Sequence, residues 1–382
     1  MKYLRLPFIV INVLTVLLMW VAALCGTMSP HVVGWLSLGG YVFPLLFMVC
    51  VAFMLFWVFV KKRFLLISFI GLVAVYKPAL TYCPLNTASS EHSPIGGDGG
   101  GPLTILTFNA CDWGNDKSMP DSTLTKADKK QKMISQLIEM DADILFMQEA
   151  TLRGNEEALS RHYQYCDTLK GIRENSVCLT LYSKYPIKRK EKIPLQSTAA
   201  AGAFWLDIDG REVIALDMHL ESMHLSMNDR KRFSTMVHGE DKNRDSIRST
   251  SQTIVGKIYQ ATRKRADQAE QVADFITRHS DMPLLLCGDF NDLPISYTHD
   301  TILKALNTGK SSLGGNEGDA EGHDCYTATA MGPGYTFKRF GMRVRIDNIM
   351  CSRHFTPINC HIVKNITLSD HLPLICQLAF SR

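Results

Sequence analysis

Two kinds of hydrophobic pattern divide this chain into an N-terminal and a C-terminal part. Within residues 1–83 the apolar residues form three long runs, at about 6–25, 35–60 and 64–80. The first two runs reach the roughly 20 residues that a helix needs to cross a bilayer. The third contains Lys77 and Pro78, so it either spans the membrane, with the lysine reaching the interface, or lies along the surface. We therefore predict two or three transmembrane helices.

Beyond residue 102 the apolar runs are short and alternate with segments of helical spacing. Strands of four to eight residues are predicted at Leu103–Phe108, Asp143–Met147, Val177–Tyr182, Ala203–Ile208, Val213–Met218 and Pro283–Cys287. Helices are predicted at Lys126–Met140 and Thr253–Ile276, and Val344–Ala379 returns to strands. Strands interspersed with helices over 103–382 predict an α/β domain built in layers.

The stretch between the two parts has the composition of a linker. Residues 84–102 are rich in Gly, Ser and Pro, and five of the six residues from Gly96 to Gly101 are glycine. Such a composition gives a flexible chain. We therefore predict a tether that lets the C-terminal domain move relative to the membrane.

Charge is distributed unevenly between the two parts. Residues 1–90 contain six Lys or Arg and no Asp or Glu, whereas the rest carries 35 basic and 37 acidic residues. The domain thus lacks the strong positive excess typical of proteins that hold nucleic acid by its phosphates. Within it, residues 226–265 contain ten Lys or Arg against four Asp or Glu. This segment is either a solvated face or a patch that contacts anionic lipid or a phosphorylated substrate.

The basic residues beside the apolar runs predict an orientation. Lys2 and Arg5 precede the first run, the loop Lys61–Arg63 follows the second, and residues 25–35 contain neither Lys nor Arg. By the positive-inside rule, the N-terminus and the Lys61–Arg63 loop lie in the cytoplasm. If the third run spans, which we favour, the domain lies outside the cytoplasm. If it only lies on the surface, the domain is cytoplasmic.

The sequence contains eleven cysteines, an odd number, and none of them forms a CxxC pair or a zinc-like spacing. Several lie in apolar strand-like runs, where Cys behaves as a small buried hydrophobe. We therefore expect buried thiols rather than disulfides. The sequence also contains no P-loop and no Ser-centred nucleophile elbow.

Acids, amides and histidines lie at the ends of several predicted strands. They are Asn109, Gln148, Glu149, His219, Asp289, Asn291, Asp347, Asp370 and His371. A single carboxylate at a strand end is usually a cap or turn residue, but α/β sheets also place active sites there. Because so many of these residues share one chemistry, we expect them to converge. Asp217, two residues before His219, is expected on the opposite face of its strand.

Four short motifs in this set carry a resemblance to a known family. They are Thr107–Asn109, Met147–Glu149, Gly288–Asn291 and Ser369–His371, and they closely resemble the endonuclease/exonuclease/phosphatase superfamily. This superfamily includes deoxyribonuclease I, exonuclease III, inositol-polyphosphate 5-phosphatases and bacterial sphingomyelinases. The resemblance runs from about 103 to 380 and implies a four-layer sandwich, with two packed β-sheets flanked by helices. The combination with N-terminal spans is similar to a membrane-attached bacterial branch, which implies the inner membrane.

The resemblance also implies a metal and a histidine centre. Glu149 would be the principal Mg²⁺ ligand, with Mn²⁺ as a possible substitute, and Asn109 beside it would bind metal or phosphate. Mg²⁺ prefers oxygen ligands and keeps several waters, so few protein ligands suffice. His371 would act at the phosphate as general base or as charged donor, with Asp347 or Asp370 fixing its ring.

Three further residues would act on water and phosphate, according to the same resemblance. Asp289 would orient or deprotonate the attacking water, and Asn291 would hold a phosphate oxygen. His219 would assist transition-state charge or the leaving group.

A fold of this kind does not by itself identify the substrate. We favour a membrane-anchored, Mg²⁺-dependent phosphoesterase acting on a lipid headgroup or an inositol-phosphate type of substrate, because the anchor keeps the site near the bilayer. An extracytoplasmic nuclease acting on DNA or RNA is the alternative. A non-catalytic scaffold is a second alternative, and the presence of every motif residue argues against it.

Overall fold

The computed structural model describes residues 5–86, 101–114, 124–150, 157–170, 178–307, 321–339 and 341–381. The helices of these ranges are α1 (Leu6–Gly26), α2 (Pro30–Val33), α3 (Gly39–Val60), α4 (Leu65–Ala74), α5 (Tyr76–Tyr82), α6 (Cys111–Gly114), α7 (Lys126–Glu139), α8 (Glu157–His162), α9 (Met227–Val237), α10 (Arg244–Arg278), α11 (Tyr297–Ala305) and α12 (Cys325–Thr329). The strands are β1 (Leu103–Asn109), β2 (Ile144–Gln148), β3 (Tyr165–Lys170), β4 (Cys178–Ser183), β5 (Ile187–Ile193), β6 (Ala200–Ile208), β7 (Arg211–His219), β8 (Leu284–Asp289), β9 (His323–Asp324), β10 (Phe337–Arg339), β11 (Met342–Val344), β12 (Asp347–Cys351), β13 (Phe355–Ile362) and β14 (Leu374–Phe380).

In the described residues, the strands form two mixed six-stranded sheets and one hairpin. The first sheet has the order β13-β14-β1-β2-β4-β3 and the second has the order β5-β6-β7-β8-β12-β9. Strands β10 and β11 pair only with each other along their length. Parallel pairing occurs at the centre of each sheet, between β1 and β2 and between β7 and β8.

Three apolar clusters hold these sheets and helices in four layers. Leu181, Phe204 and Leu285 belong to the cluster between the two sheets. Trp205, Phe275 and Ile302 pack the outer face of the second sheet against α10 and α11. A third cluster packs α7 and α8 on the outer face of the first sheet. The predicted fold class, a four-layer sandwich of two packed sheets flanked by helices, is therefore confirmed.

The cysteines agree with the expectation of buried thiols. All eleven lie in the described residues, none of them forms a disulfide, and seven are buried. Cys325, Cys351, Cys360 and Cys376 are buried within the cluster between the sheets. They pack there as small apolar side chains, and burial raises the pKa of the thiols of Cys325, Cys360 and Cys376. The pKa of the Cys351 thiol is raised by its contact with Cys325 and then by burial.

The N-terminal part contains two helical segments that are long and apolar enough to cross a membrane. They are Leu6–Gly26 and Pro30–Val60. The third predicted run forms α4 and α5, a pair bent by 63° that could act as a single broken span. Helices α1, α3 and α4 pack on one another. The 22 residues of α3 rise roughly 33 Å, which separates the exposed Lys61–Arg63 loop from the other end of the bundle.

That other end of the bundle packs directly against the α/β domain. Ile295 is 2% exposed and lies in an apolar cluster with Met19, Ala23 and Phe43 of the bundle. A Cβ atom on Gly40 would lie 1.9 Å from the carbonyl oxygen of Ile295. Only glycine allows so close an approach of the two backbones.

Polar and aromatic contacts extend this interface along α10. His31 lies 2.7 Å from the carboxylate of Asp267. The ring of Trp35 stacks on Tyr259 at 4.1 Å between centroids. The helix connection at 30–38 therefore rests on the middle of α10.

The first residues of the predicted tether are also bound to the domain. Asn86 donates its side-chain amide to the carbonyl oxygens of Thr327 and Ala330 at 3.0 and 2.9 Å. Arg345 donates to the carbonyl oxygen of Thr81 at 2.6 Å. Residues 87–100 lie outside the described residues. Contacts on either side of residues 87–100 thus dock the domain on the N-terminal helices, and the tether predicted at 84–102 stays a prediction.

Candidate active site

Strand register brings three predicted site residues into one row of the second sheet. His219 pairs with Asp289 across the parallel strands β7 and β8. Asp289 pairs in turn with Asp347 across the antiparallel strands β8 and β12. Asp347 begins its strand rather than ending one. Because β12 runs in the opposite direction, its start lies at the same edge of the sheet as the ends of β7 and β8.

The first sheet contributes the facing row. Asn109 ends β1 and pairs with Gln148 at the end of β2, and Glu149 follows directly. The Asn109 side-chain amide donates to Asp289 at 3.0 Å and to Glu149 at 3.2 Å. This amide therefore joins the two sheets at the site.

A glycine permits the close spacing of these rows. Gly288 has φ +136°, and a Cβ atom there would lie 1.9 Å from the carbonyl oxygen of Met218. Both the backbone conformation and the approach of β7 to β8 exclude a larger residue. Gly288 precedes Asp289, so this close contact fixes the position of the Asp289 carboxylate relative to β7.

His371 is held by one carboxylate and faces another. Its Nδ1 lies 2.9 Å from Asp347 Oδ2, and its Nε2 lies 3.7 Å from Asp289 Oδ2. The Ser369 hydroxyl donates to the carbonyl of Asn109 at 2.8 Å and accepts from the backbone N–H of His371 at 3.1 Å. The Ser-Asp-His motif is thereby tied to the end of β1.

Asp370 is oriented differently from Asp347. Its Oδ2 lies 4.0 Å from the guanidinium of Arg339 on the hairpin, and its backbone carbonyl accepts from Lys338 at 3.2 Å. Asp347, rather than Asp370, contacts the His371 ring. Of the two carboxylates that the sequence offered for this task, the structure selects Asp347.

His219 lies on the other side of Asp289. Its Nε2 is 3.0 Å from Glu149 Oε1 and 3.7 Å from Asp289 Oδ2. The Asn291 side-chain amide lies 3.4 Å from the same nitrogen and donates to the carbonyl of Leu220 at 3.1 Å. Two imidazoles thus flank one buried carboxylate.

Two of these residues have a left-handed backbone. Glu149 has φ 51° and Asn291 has φ 52°. Non-glycine residues adopt this region at an energetic cost, and such residues cluster at functional sites. The sharp turns aim both side chains into the space between the sheets.

The carboxylates of the site differ in how readily they ionise. Burial and the neighbouring Asp347 charge raise the pKa of Asp289 to about 6. Burial also opposes the charge of Glu149, but the hydrogen bond and charge of His219 outweigh it and lower the Glu149 pKa to about 2. Glu149 is therefore the readily ionised carboxylate of the pair.

Both histidines favour their charged form. Burial acts against the His371 proton, yet the charges of Asp347 and Asp289 hold its pKa well above the usual range. The pKa of His219 is raised by Glu149 and Asp289 in the same way, again against burial. Each imidazolium is thus stabilised by a carboxylate that it contacts.

The donor set fits a divalent metal. Asp289, Asp347 and His371 place possible ligand atoms within 4.8 Å of one another. Glu149 adds a carboxylate whose side chain is 37% exposed and faces the pocket. Asn109 is a less direct candidate for a metal ligand. Its Oδ1, the atom that could bind a metal, accepts from the N–H of Cys111 at 3.0 Å, and its side-chain nitrogen faces the carboxylates. Carboxylate oxygens are hard ligands of the kind that Mg²⁺ and Mn²⁺ bind.

Buried residues behind the site hold it in place. Arg265, which is fully buried, donates to Asp292 at 3.0 Å and to the carbonyl of Glu221 at 3.0 Å. Gln268 accepts from the N–H of Glu221 at 2.9 Å. The Thr336 hydroxyl accepts from the N–H of Asp347 at 3.1 Å. These residues anchor the loops that carry Asn291 and Asp347.

The expectation for Asp217 is wrong. Asp217 is fully buried and accepts from the Gln148 side chain at 2.6 Å, on the same face of β7 as His219. Residues two apart in a strand point to the same side, so the sequence rule should have placed it there. Burial raises the pKa of Asp217 well above its usual range, and its contact with Gln148 links β7 to β2 beneath the site.

The site opens into a pocket of about 160 Å³. Its polar side carries Glu149, His219, Asp289, Asn291 and His371. The pocket therefore brings together most of the residues that the sequence predicted. Residues 222–225 and the hairpin β10–β11, which also line it, were not predicted to do so, whereas Arg230 lies in the basic segment that was an alternative substrate contact.

Comparison with known families agrees with this geometry. A family model described as the endonuclease/exonuclease/phosphatase family matches residues 111–371. A second model, described as a domain of unknown function, matches residues 5–82. No curated protein sequence matches the chain at a significant level.

Several solved structures share the fold. The catalytic domain of human nocturnin with bound sulfate is 17% identical, with a TM-score of 0.50 over 73% of this chain and 95% of that one. An endonuclease/exonuclease/phosphatase from Bacteroides vulgatus is 17% identical, with a TM-score of 0.48 over 74% of this chain and all of that one. A mannosyl-6-phosphatase from Bacteroides thetaiotaomicron is 16% identical, with a TM-score of 0.45 over 73% and 100%.

The family match covers more than half of the chain and includes the whole set of paired carboxylates and histidines. Members of this family are metal-dependent phosphoesterases. The chain belongs to the endonuclease/exonuclease/phosphatase family and is a metal-dependent phosphoric ester hydrolase.

Proposed function

We propose that this protein is a membrane-anchored, Mg²⁺-dependent phosphoesterase that hydrolyses a phosphodiester or phosphomonoester by in-line attack of an activated water. The favoured substrate carries a lipid headgroup or is of the inositol-phosphate type. The proposal rests on one observation. Two carboxylates and two imidazoles lie together in one pocket, those of Glu149, Asp289, His219 and His371. Ionised oxygen ligands and two charged donors are what phosphoryl transfer to water requires.

Glu149 is the proposed principal metal ligand. It is the most exposed carboxylate among these residues and the one whose pKa is lowered, to about 2 by its contact with His219 against the opposing effect of burial. Asn109 would assist it or contact the phosphate. When bound, the ion would neutralise charge on the phosphate oxygens.

The remaining residues would act on water and on the phosphate. Asp289 lies between the two imidazoles and is placed to orient or deprotonate the attacking water. His371, held at Nδ1 by Asp347, presents Nε2 as a base or as a donor to a phosphate oxygen. His219 and Asn291 would donate to the phosphate and to the leaving oxygen. Asp370 would act at longer range, through the hairpin that it contacts.

We also propose that the domain lies outside the cytoplasm, on the inner membrane of a bacterium. The end of α1, the start of α3 and the end of α5 all contact the domain, as Gly40 and Thr81 illustrate. The Lys61–Arg63 loop is exposed at the opposite end of the bundle. Since basic loops remain in the cytoplasm, the domain would face the other side.

The basic segment 226–265 supports a substrate at the membrane surface. Lys257, Lys264 and Arg265 are paired internally with Asp229, Glu221 and Asp292. Further cations of the segment are exposed to solvent, namely Lys231, Arg232, Lys242, Arg244, Arg248 and Arg263. Two of them lie on α9, one on the connection between the helices, and three on α10, the helix whose middle touches the connection between the N-terminal helices. They would attract anionic headgroups or a phosphorylated substrate.

Turnover of a substrate panel tests the proposal. Full-length protein in detergent would be given phospholipid micelles, inositol phosphates, plasmid DNA and RNA, each with Mg²⁺ and each with EDTA. We expect lipid or inositol phosphate to be hydrolysed in Mg²⁺ and to persist in EDTA. Preferred cleavage of DNA or RNA would instead support the nuclease alternative. No turnover of any member, together with no Mg²⁺ binding, would support the scaffold alternative.

A further inference from the structure

The active-site pocket has two chemically different sides. The catalytic carboxylates and histidines form one side. The other side contains the apolar side chains of Met223, Leu225, Met342 and Val344. The pocket is also lined by His224, which pairs with Glu221, and by Arg230, which donates Nε to the carbonyl of Leu225. Two thioethers and two aliphatic groups offer a phosphate ester no strong hydrogen-bonding partner on this side.

This apolar wall is assembled from two separate segments of the chain. Met223 and Leu225 precede α9, while Met342 and Val344 belong to β11. The segments also touch each other, since a Cβ atom on Gly341 would lie 3.3 Å from a methyl group of Val237 at the end of α9. The two segments are therefore neighbours in the structure, and both line the same pocket.

The wall adjoins the catalytic imidazole. Phe337, at the base of the hairpin, packs edge-on against the His371 ring at 5.1 Å between centroids and lines the same pocket. Leu225 is 9% exposed and Ile346, which continues the wall inward, is 5% exposed. The apolar surface thus begins beside the His371 ring, and its inner residues are buried in the protein core.

The pocket adjoins a second cavity that reaches the N-terminal helices. Met223 and His224 line both this pocket and a second cavity of about 530 Å³. That second cavity is lined by Trp35, from the connection between the membrane helices. Trp is enriched at the membrane–water interface. An amphiphile beside Trp35 would therefore lie next to Met223 and His224, the residues that the two cavities share.

We propose that the wall of Met223, Leu225, Met342 and Val344 is a subsite for the hydrocarbon of the substrate, which is a phosphate ester of a long-chain or isoprenoid alcohol. This inference rests on the proposed function and narrows it. A hydroxylated ring or a nucleoside placed against this wall would bury polar groups without partners, which is unfavourable. An alcohol that is apolar from its ester oxygen outward has no such groups and gains from burial.

Alkylphosphonates test the subsite without requiring turnover, because their carbon–phosphorus bond is not hydrolysed by this chemistry. Ethylphosphonate and butylphosphonate would be titrated calorimetrically into the full-length protein in detergent with Mg²⁺. Both are too short to partition strongly into micelles. We expect butylphosphonate to bind about tenfold more tightly, because two further methylenes would be buried.

Conservative variants assign the effect to the wall. Met342→Gln and Val344→Thr keep the size of the side chain but add polarity, and each should remove most of the preference for butyl while leaving ethyl affinity within about twofold. Met227→Gln is the matched control, since Met227 lies on α9, is 50% exposed and does not line the pocket. It should retain the wild-type preference.

The outcomes separate the two proposals. Equal affinity for both phosphonates in the wild type would overturn the subsite and leave the phosphoesterase proposal standing. A preference for butyl that survives in both wall variants would overturn the subsite as well. Absence of any Mg²⁺-dependent phosphonate binding by folded protein would count against the phosphoesterase proposal itself and the subsite with it.

Discussion

At the scale of single residues, the site depends on which partner each imidazole has. The sequence offered Asp347 and Asp370 as alternatives for fixing His371, and only distance could decide between them. Asp347 Oδ2 lies 2.9 Å from His371 Nδ1, whereas Asp370 is turned toward Arg339. Neighbours in sequence are therefore poorer guides here than neighbours across the sheet.

Replacing each of these carboxylates by an amide should separate their roles. Asp347→Asn should lower kcat by about 100-fold or more, because an amide no longer stabilises the charged ring or fixes its tautomer. Asp370→Asn removes a carboxylate of the same motif that does not touch the ring, and should cost less than about tenfold. Steady-state kinetics on the preferred substrate would measure both. Equal losses in the two variants would show that the assignment of Asp347 is mistaken.

At the scale of elements, apolar patterns predicted the central strands well. The six predicted strands correspond to β1, β2, β4, β6, β7 and β8, with differences of up to three residues at their ends. These strands are buried on both faces and read as short apolar runs. Helix α7 was predicted almost to its last residue, and α10 begins nine residues earlier than predicted.

Edge strands and inserted segments were not predictable in the same way. Strand β5 has the sequence Ile-Lys-Arg-Lys-Glu-Lys-Ile and is mostly exposed, so no apolar pattern marks it. Charged residues are common on edge strands. Helix α9 buries no residue fully. The lining of the pocket by 222–230 and β11 depends on tertiary contacts that a single sequence does not contain.

The spacing of β7 and β8 can be tested by adding one methyl group. Gly288→Ala places a Cβ atom against the Met218 carbonyl and should destabilise the protein by about 3 kcal/mol or more. Gly210→Ala is the matched control, because it also has positive φ but has open space around it. It should cost only about 1–2 kcal/mol. Thermal unfolding would compare the two, and similar losses would argue against the close approach of the strands.

At the scale of the whole molecule, the N-terminal helices form part of the support of the active site. Tyr41 of α3 donates to Asp292 at 3.5 Å, and Arg265 holds the other oxygen of the same carboxylate. Asp292 directly follows Asn291. A side chain from the helical bundle therefore contacts the residue that follows Asn291 of the site. The composition of 84–102 by itself suggests a domain that moves independently of the bundle.

Disrupting the interface should loosen this loop. Gly40→Leu would clash with the Ile295 backbone, so amide hydrogen exchange in Asp292–Ala305 should become faster. Val42→Leu, at a position that is 48% exposed, places the same leucine on the same helix without the clash and should leave exchange unchanged. Exchange mass spectrometry on full-length protein in detergent measures both. Unchanged exchange in Gly40→Leu would mean that the docked arrangement does not support the loop.

Topology is a separate prediction of the whole-molecule arrangement. Alkaline phosphatase fused after residue 90 should be active, and green fluorescent protein fused at the same point and exported by the same route should be dark. The reason is that the docked face of the bundle lies opposite the Lys61–Arg63 loop. Fusions after Lys61 should give the reverse result. A fluorescent fusion after residue 90 would place the domain in the cytoplasm.

The measurement that tests the central claim most directly is phosphate-ester hydrolysis by full-length Glu149→Gln protein in Mg²⁺. Glu139→Gln, an exposed glutamate on α7, is the matched control. We expect wild type and Glu139→Gln to be equally active and both to lose activity in EDTA. Glu149→Gln should be slower by about 100-fold or more. Activity of Glu149→Gln within a few-fold of wild type would contradict the assignment of this site as the catalytic metal centre.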